Sequence, residues 1–267
     1  MTATLDKIAA LLAKAERTEI EAEAEAYLMK AQALATLASV DLAVARARTA
    51  RREGRHQPVA RTTSIGEKGR RANPHLIALF VAIAYANDAK VDVASNSTYV
   101  IGYGLPEDLD AVEAIFASLA VHMVHAGQQF VATRRWEGER YAAVVSGRRV
   151  TRVHTAQTAR AGFYRAYVAR IGERLAQARR EALAQADALA DAPAVAAAGG
   201  AELVLARKAA QVDDFHRRTS SARGSWGGYS GGVRAASGSA AHAGRQAAST
   251  ARLTASKSLP GSPTPIR

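Results

Sequence analysis

Residues 2–41 read TATLDKIAALLAKAERTEIEAEAEAYLMKAQALATLASVD. In the first part, Leu5, Ile8, Leu12 and Ala15 recur at helical spacing and predict a helix over 4–16. Arg17-Thr18 breaks the pattern. Thr18 and Glu21 then make a capping box, in which hydroxyl and carboxylate satisfy each other's orphan backbone N–H groups. The second helix runs to about Ala38, with Tyr27, Ala31, Leu34 and Ala38 along one face. Glu19, Glu21, Glu23 and Glu25 crowd its first turn, where the helix dipole favours negative charge. Two helices with so tight a break pack antiparallel, so residues 1–45 are expected to form a helical hairpin.

Outward from this hairpin the pattern changes. Residues 46–72 lose periodicity and gain Arg, Gly and Pro, and read as a basic linker. Asn73 is placed to cap a new helix with Pro74 at its first position. Leu76, Ile77, Leu79, Phe80, Val81 and Ile83 make that helix apolar nearly all round, which implies burial. Val91–Ala94 and Thr98–Tyr103 are β-rich runs around Ser95-Asn96-Ser97, a hairpin signal. Pro106 opens a helix with a stripe of Leu109, Val112, Phe116, Leu119 and Met123. The stretch 131–153 is ambiguous between a short strand and a distorted helix. Residues 155–190 hold the longest helical pattern, with Phe163, Tyr167, Val168, Ile171 and Leu175 on one face. Glu202–Ala206 reads as a third strand before a short helix to Arg218. Residues 219–267 are basic and rich in Gly, Ser and Ala. Such a segment buries too little to offset its ordering entropy and is expected to be largely flexible, with one alternative left open: Gly244-Arg245 followed by Ala residues suits a stretch, 235–253, that folds onto the domain.

Aromatics make up only 6% of the 267 residues, so the core must come from small and aliphatic side chains on closely packed helices. Cysteine is absent, which excludes disulfides, thiol nucleophiles, zinc ribbons and iron–sulfur clusters. Lys7, Lys14 and Glu16 interrupt the N-terminal apolar residues, so no signal peptide is expected. No run is read as approaching the roughly 20 apolar residues of a membrane span. The expectation is a cytoplasmic protein with no membrane partner.

The net charge of +12 is unevenly spread. It runs from −1 over 1–50 to +5 over 51–71 and −5 over 72–128. It is then +9 over 129–180, −3 over 181–198, +1 over 199–218 and +6 over 219–267. The block 129–180 carries twelve Arg and no Lys, and Arg favours planar, bidentate contacts with phosphates and carboxylates. A compositional origin competes with this, since a GC-rich genome favours Arg and Ala codons together. Arg165, Arg170, Arg179 and Arg180 are scattered around their helix, which weakens a nucleic-acid reading of that element.

Lys7-Ile8, Leu11-Leu12, Lys14-Ala15, Thr18, Glu25-Ala26, Lys30-Ala31-Gln32 and Leu34 together resemble the bacterial and phage domain of unknown function numbered 2786. Ala35-Thr36 and Val40-Asp41 depart mildly from its pattern. The region behind the hairpin resembles the domain of unknown function numbered 7168, through Gly102-Tyr103-Gly104, through Gly162-Phe163-Tyr164-Arg165 leading into Ile171-Gly172-Glu173-Arg174-Leu175, and through the strand-like Leu203–Leu205 followed by a helix. Neither resemblance implies an activity or catalytic residues.

Three chemistries deserve weighing. His122 and His125 lie three apart on a helix and are weak candidates for a metal. A zinc site needs a third ligand, for which His154 or Asp110 are the nearest options, and an oriented outer shell. Surface or packing histidines account for them more simply, and no cofactor is expected. Gly102-x-Gly104 sits between a strand and a helix as a phosphate loop does, but it lacks the third glycine and any Gly-Lys-Ser/Thr. A turn that needs backbone freedom explains it better. Arg223, Trp226, Tyr229 and Arg234 interleave with glycines in a manner suited to contacting phosphates and stacking on bases.

The sequence therefore predicts a helix-rich α+β protein. It comprises a hairpin (1–45), a linker (46–72), a domain with a small sheet packed by helices (73–218) and a tail (219–267). The leading expectation is a non-enzymatic protein that binds DNA or RNA through Arg51, Arg52, Arg70, Arg71, Arg134, Arg135, Arg148, Arg149, Arg152 and the tail residues just named. The alternatives are a metal-dependent hydrolase using His122 and His125, and an adaptor that docks a protein partner on residues 4–38.

Overall fold

The computed structural model describes residues 2–17, 23, 26–27, 29–39, 57–145, 148–188, 201–224, 226 and 238–251. In chain order the elements are α1 (Thr2–Arg17) and α2 (residues 29–39), then β1 (Val59–Ser64), α3 (Asn73–Ala86), β2 (Lys90–Val93) and β3 (Tyr99–Gly104). They continue with α4 (Pro106–Ala132), β4 (Arg140–Val145), β5 (Arg148–Val153), α5 (Ala156–Ala188), α6 (Ala201–Thr219) and α7 (Gly238–Ser249). The fold is helix-rich α+β with two small antiparallel sheets.

The first sheet has the order β1-β3-β2. Its central strand is covered on both sides. Val100, Gly102 and Gly104 alternate onto the face beneath α3 and α4. Tyr103 turns the other way, against Phe215 and His216 of α6. The two glycines are explained by proximity. A Cβ at Gly102 would stand 3.1 Å from Leu109 Cδ2, and one at Gly104 would stand 3.3 Å away. They let α4 settle onto the strand, and they form neither the turn expected from the sequence nor a phosphate loop.

The remaining core is helical. Ile77, Leu79, Phe80 and Ile83 of α3 are buried, as are Leu109, Val112, Phe116, Leu119 and Met123 of α4 and Phe163, Tyr167, Ile171 and Leu175 of α5. These stripes match the sequence periodicity. By length and composition α4 also passes as a membrane-crossing helix, which the sequence reading did not anticipate. Its apolar stripe nonetheless packs into the core against α3 and α5.

Several sequence expectations are corrected. Residues 59–64, placed in the linker, are strand β1 and pair with β3 from Val59↔Gly104 to Ser64↔Tyr99. Asn73 does not cap α3, whose N-cap is Ala72. Its amide instead donates to the carbonyls of Glu67 and Ser97 and braces two loops. Glu202–Ala206 is helical and opens α6. The five residues ELVLA fit either period, and the following polar turns carry the helical one. Within the tail, residues 238–249 form α7, which lies on α5. The sequence left this contact open, and the structure takes the folded alternative for this part of 235–253. Ala240, Gly244 and Ala248 make a face so thin that a Cβ on Gly244 would lie 2.4 Å from the Phe163 carbonyl oxygen.

Both ends of α7 are held. Glu139 accepts hydrogen bonds from the Ser239 backbone N–H at 3.2 Å and hydroxyl at 2.8 Å. The buried Arg174 guanidinium donates to the Ala248 carbonyl, where a cation favourably meets the negative end of the helix dipole.

Helices α1 and α2 share the main core, with Ile8, Leu12, Ala31 and Ala35 in the same apolar cluster as α3, α4 and α5. Thr18 and Glu21 of the expected capping box lie outside the described residues. The buried face of α2 is rotated from the expected one and is partly polar. Gln32, Thr36 and Ser39 are buried, while Tyr27, Leu34 and Ala38 are half-exposed.

Candidate nucleic-acid interface

Strands β4 and β5 pair from Arg140↔Val153 to Val145↔Arg148 and pack mainly on each other. Cross-strand partners share a face. One face therefore carries Arg140, Ala142, Arg149, Thr151 and Val153, and the other carries Tyr141, Ala143, Arg148, Val150 and Arg152. Ala143 is buried and Val150 half-buried, whereas all four arginines are exposed. A two-stranded ribbon is marginal alone, and this one is fixed at its root. The backbone N–H of His154 donates to the Glu139 carbonyl at 2.9 Å. The His154 ring lies 4.6 Å from that of Tyr141, and its Nδ1 is 3.1 Å from the Thr158 hydroxyl. Burial pushes the His154 pKa down despite the nearby Glu139, so the anchor is a neutral ring.

Directly after the ribbon, Thr155 and Thr158 cap α5 reciprocally. The Thr155 N–H donates to the Thr158 hydroxyl at 2.9 Å, and the Thr158 N–H donates to the Thr155 hydroxyl at 3.3 Å. The positive end of α5 thus adjoins the ribbon. Arg71 donates to Gln157 in that first turn at 2.5 Å, which brings the end of the 51–71 basic block to the 129–180 block. From 140 to 172 the chain has seven Arg and no acidic residue. Among the described residues, Arg140, Arg148, Arg149, Arg152 and Arg160 enter no ion pair.

The other candidates separate from this set. Arg70 pairs with Glu67 at 2.6 Å and Arg134 with Glu137 at 2.5 Å, both as exposed neighbours three residues apart. Such pairs hold little energy, but they halve the local charge. Arg135 is exposed on the loop between α4 and β4. Arg223 and Trp226 are exposed, and the chain just before them is tied to the β2 edge through Ser220 and Asp92. Arg51, Arg52, Tyr229 and Arg234 lie outside the described residues. Arg140 was not singled out from sequence, because an isolated Arg gives no signal until its strand is known.

The histidine pair does not converge on a metal site. His122 Nδ1 lies 2.9 Å from the Tyr167 hydroxyl, and His125 is exposed with Nε2 at 2.9 Å from Gln129. His154 sits at the ribbon root, and Asp110 is bound to Arg61 at 2.6 Å. Among the described residues, no group of three His, Cys, Asp or Glu is placed to hold a metal.

Two polar clusters have no counterpart in the sequence reading. In the first, Lys208 Nζ lies 3.1 Å from Asp88 and 3.2 Å from Asp108 and donates to the Ser39 hydroxyl at 2.5 Å. Ser39 in turn donates to Asp108 at 3.1 Å, and Arg179 reaches Asp88 at 2.7 Å. Burial pushes the Asp108 carboxyl up, against the opposing pull of Lys208. Ser39 and Lys208 form no nucleophile–base dyad. The lysine Nζ is engaged by two acidic side chains, and the serine hydroxyl already donates to one of them. The cluster fastens α2 to α4 and α6.

In the second cluster, Asp92 Oδ1 lies 2.9 Å from His216 Nε2, and Oδ2 accepts from Tyr103 at 2.8 Å and Ser220 at 2.6 Å. Burial pushes the Asp92 pKa up, but the hydrogen bonds from Ser220, His216 and Tyr103 outweigh it and hold the carboxyl low. Burial and then Asp92 push Tyr103 up to about 12. Serine and histidine both address the aspartate and not each other, so this is a clasp between sheet and α6, not a hydrolytic triad.

Residues 3–42 match the family model described as Protein of unknown function (DUF2786). No curated protein and no solved structure matches the chain.

Proposed function

We propose that the protein is a non-enzymatic, DNA-associated protein that grips the duplex backbone with the β4–β5 ribbon. The observation that supports this most is the set of exposed arginines at 140, 148, 149 and 152, which enter no ion pair among the described residues, on a two-stranded ribbon inside a stretch without acidic residues. The major groove of B-form DNA admits a two-stranded β-ribbon, whereas the deep, narrow major groove of A-form RNA does not. Arginines on both faces of the ribbon suit phosphates on both walls of a groove. Arg71, Arg160 and the first turn of α5 extend the positive surface at its root. Neutralising four or five phosphates releases their counterions, so affinity should fall about 150- to 500-fold between about 50 and 200 mM salt.

In this reading residues 73–218 are the counterpart of the domain of unknown function numbered 7168, on the strength of Gly102-Tyr103-Gly104 and the Gly162–Leu175 segment. Ile8, Leu12, Ala31 and Ala35 of α1 and α2 are buried in the core, with Leu11, Tyr27 and Leu34 partly buried against it, and the large exposed apolar side chains among the described residues are Tyr85, Tyr99, Val153, Leu203 and Trp226. That favours DNA over an adaptor role for residues 4–38.

Fluorescence anisotropy on a short labelled duplex tests the proposal. The wild type should bind with the stated salt dependence. Replacing Arg140, Arg148, Arg149 and Arg152 with Ala should remove most affinity and most of the slope, with unchanged thermal unfolding. Undetectable binding of DNA and RNA at low salt would sink the idea.

A further inference from the structure

The groove between α4 and α7 has the chemistry of a ligand site. Its volume is about 310 Å³, at the lower end of the range for sites that enclose small molecules. It exists because α7 is built from small residues. With Ala240, Gly244 and Ala248 pressed onto α5, Ala243 and Ala247 turn toward α4, where they are too short to fill the space beside Ala126 and Phe130. Those four side chains make an apolar floor.

The described rim residues are polar and uncharged apart from Arg135 and His242, with the Glu139 carboxylate taken up by Ser239 on the wall. Gln129 and Arg135 stand on one side, and His242 and Gln246 on the other. Arg135 enters no ion pair among the described residues. The groove also adjoins the ribbon. Arg135 lies in the loop that runs into β4, and Glu139, the residue before that strand, bonds Ser239 on the groove wall at 2.8 Å.

We infer that this groove receives one unpaired nucleotide of the DNA gripped by the ribbon. The floor accepts the flat face of the base. The Gln246 side chain carries an amide of the kind that pairs with base edges, and Arg135 meets the phosphate. An unpaired base enters at least cost, because no stacking or pairing has to be broken. The protein would therefore prefer duplex ends, gaps or flaps to continuous duplex. This inference rests on the DNA reading of the ribbon and adds a substrate class to it.

The test compares a blunt duplex with the same duplex bearing a short single-stranded overhang. The overhang substrate should bind about tenfold more tightly, the discrimination expected of one well-placed base contact. Ala243→Leu with Ala247→Leu fills the groove, and Arg135→Ala removes the phosphate partner. Each should bring the overhang affinity down to the blunt value, and the leucine variant should leave blunt-duplex affinity and its salt slope unchanged. Arg135→Ala alters only an exposed side chain, so it carries the test if the leucine variant melts early. Equal binding of both DNAs by the wild type, or a preference that survives in the folded variants, overturns the groove and leaves the ribbon standing. No binding of either DNA overturns both.

Discussion

Lys208 has 4% side-chain exposure and faces two carboxylates of similar burial. Removing one member of a buried ionic group costs more than the group contributes, because its partners stay behind uncompensated. Lys208→Met should therefore destabilise the protein by about 3–5 kcal/mol in urea unfolding, whereas Arg70→Ala, at an exposed pair, should change stability by less than about 1 kcal/mol. A near-neutral Lys208→Met would mean that the cluster is hydrated and holds nothing. None of this was legible in the sequence. Lysine next to Arg207 looks like one more surface cation, and Asp88 sits at a helix end with φ of 57°, in a conformation usually left to glycine or asparagine. Gln32, Thr36 and Ser39 are spaced as a stripe, but polar stripes are ordinarily read as solvated faces. The apolar stripes of α4 and α5 were legible because each is specified locally by a 3.6-residue period.

Elements whose identity depends on a partner were the ones misread. β1 is a polar strand, VARTTS, whose backbone is satisfied only by β3, so no local pattern announces it. Likewise, α7 mixes good helix formers with two glycines and two serines, so the sequence left its folding open and the contact with α5 decides it. Its contact leaves no room for growth. Gly244→Ala should cost about 1–3 kcal/mol through overpacking, and Gly127→Ala should do likewise, since its Cβ would stand 2.3 Å from the Tyr164 ring. Thermal unfolding of the two variants checks this, and a stabilised Gly244→Ala would show that α7 floats free of α5. The ribbon was half legible. Its valines and arginines marked 131–153 as unusual, but facing and exposure follow only from the register.

For the molecule as a whole, pH should act through His75. Burial and then the proximity of Arg165 push its pKa down to about 4, from an ordinary value near 6.5. The unfolded chain takes up this proton near 6.5 and the folded chain only near 4. The contribution is complete above 6.5 and is lost as the pH falls toward 4, amounting to about 3 kcal/mol. His75→Gln should flatten the stability profile in that window, and an unchanged profile would assign the loss to other groups. The single core has a second consequence at this scale. Deleting residues 1–45 uncovers Lys208, Asp88 and Asp108 together with the apolar surface beneath Ala31 and Ala35. The remainder should lose its cooperative unfolding transition, which circular dichroism would record.

That join also orders events in time. Ser39 and Lys208 are separated by 169 positions along the chain. At a synthesis rate of about 5–20 residues per second, roughly 10–30 s pass between the appearance of one and the other. Throughout that interval the polar side of α2 has no lock to enter. A segment translated before α6 is thus secured only after it, and the nascent chain carries an open seam until α6 has been made.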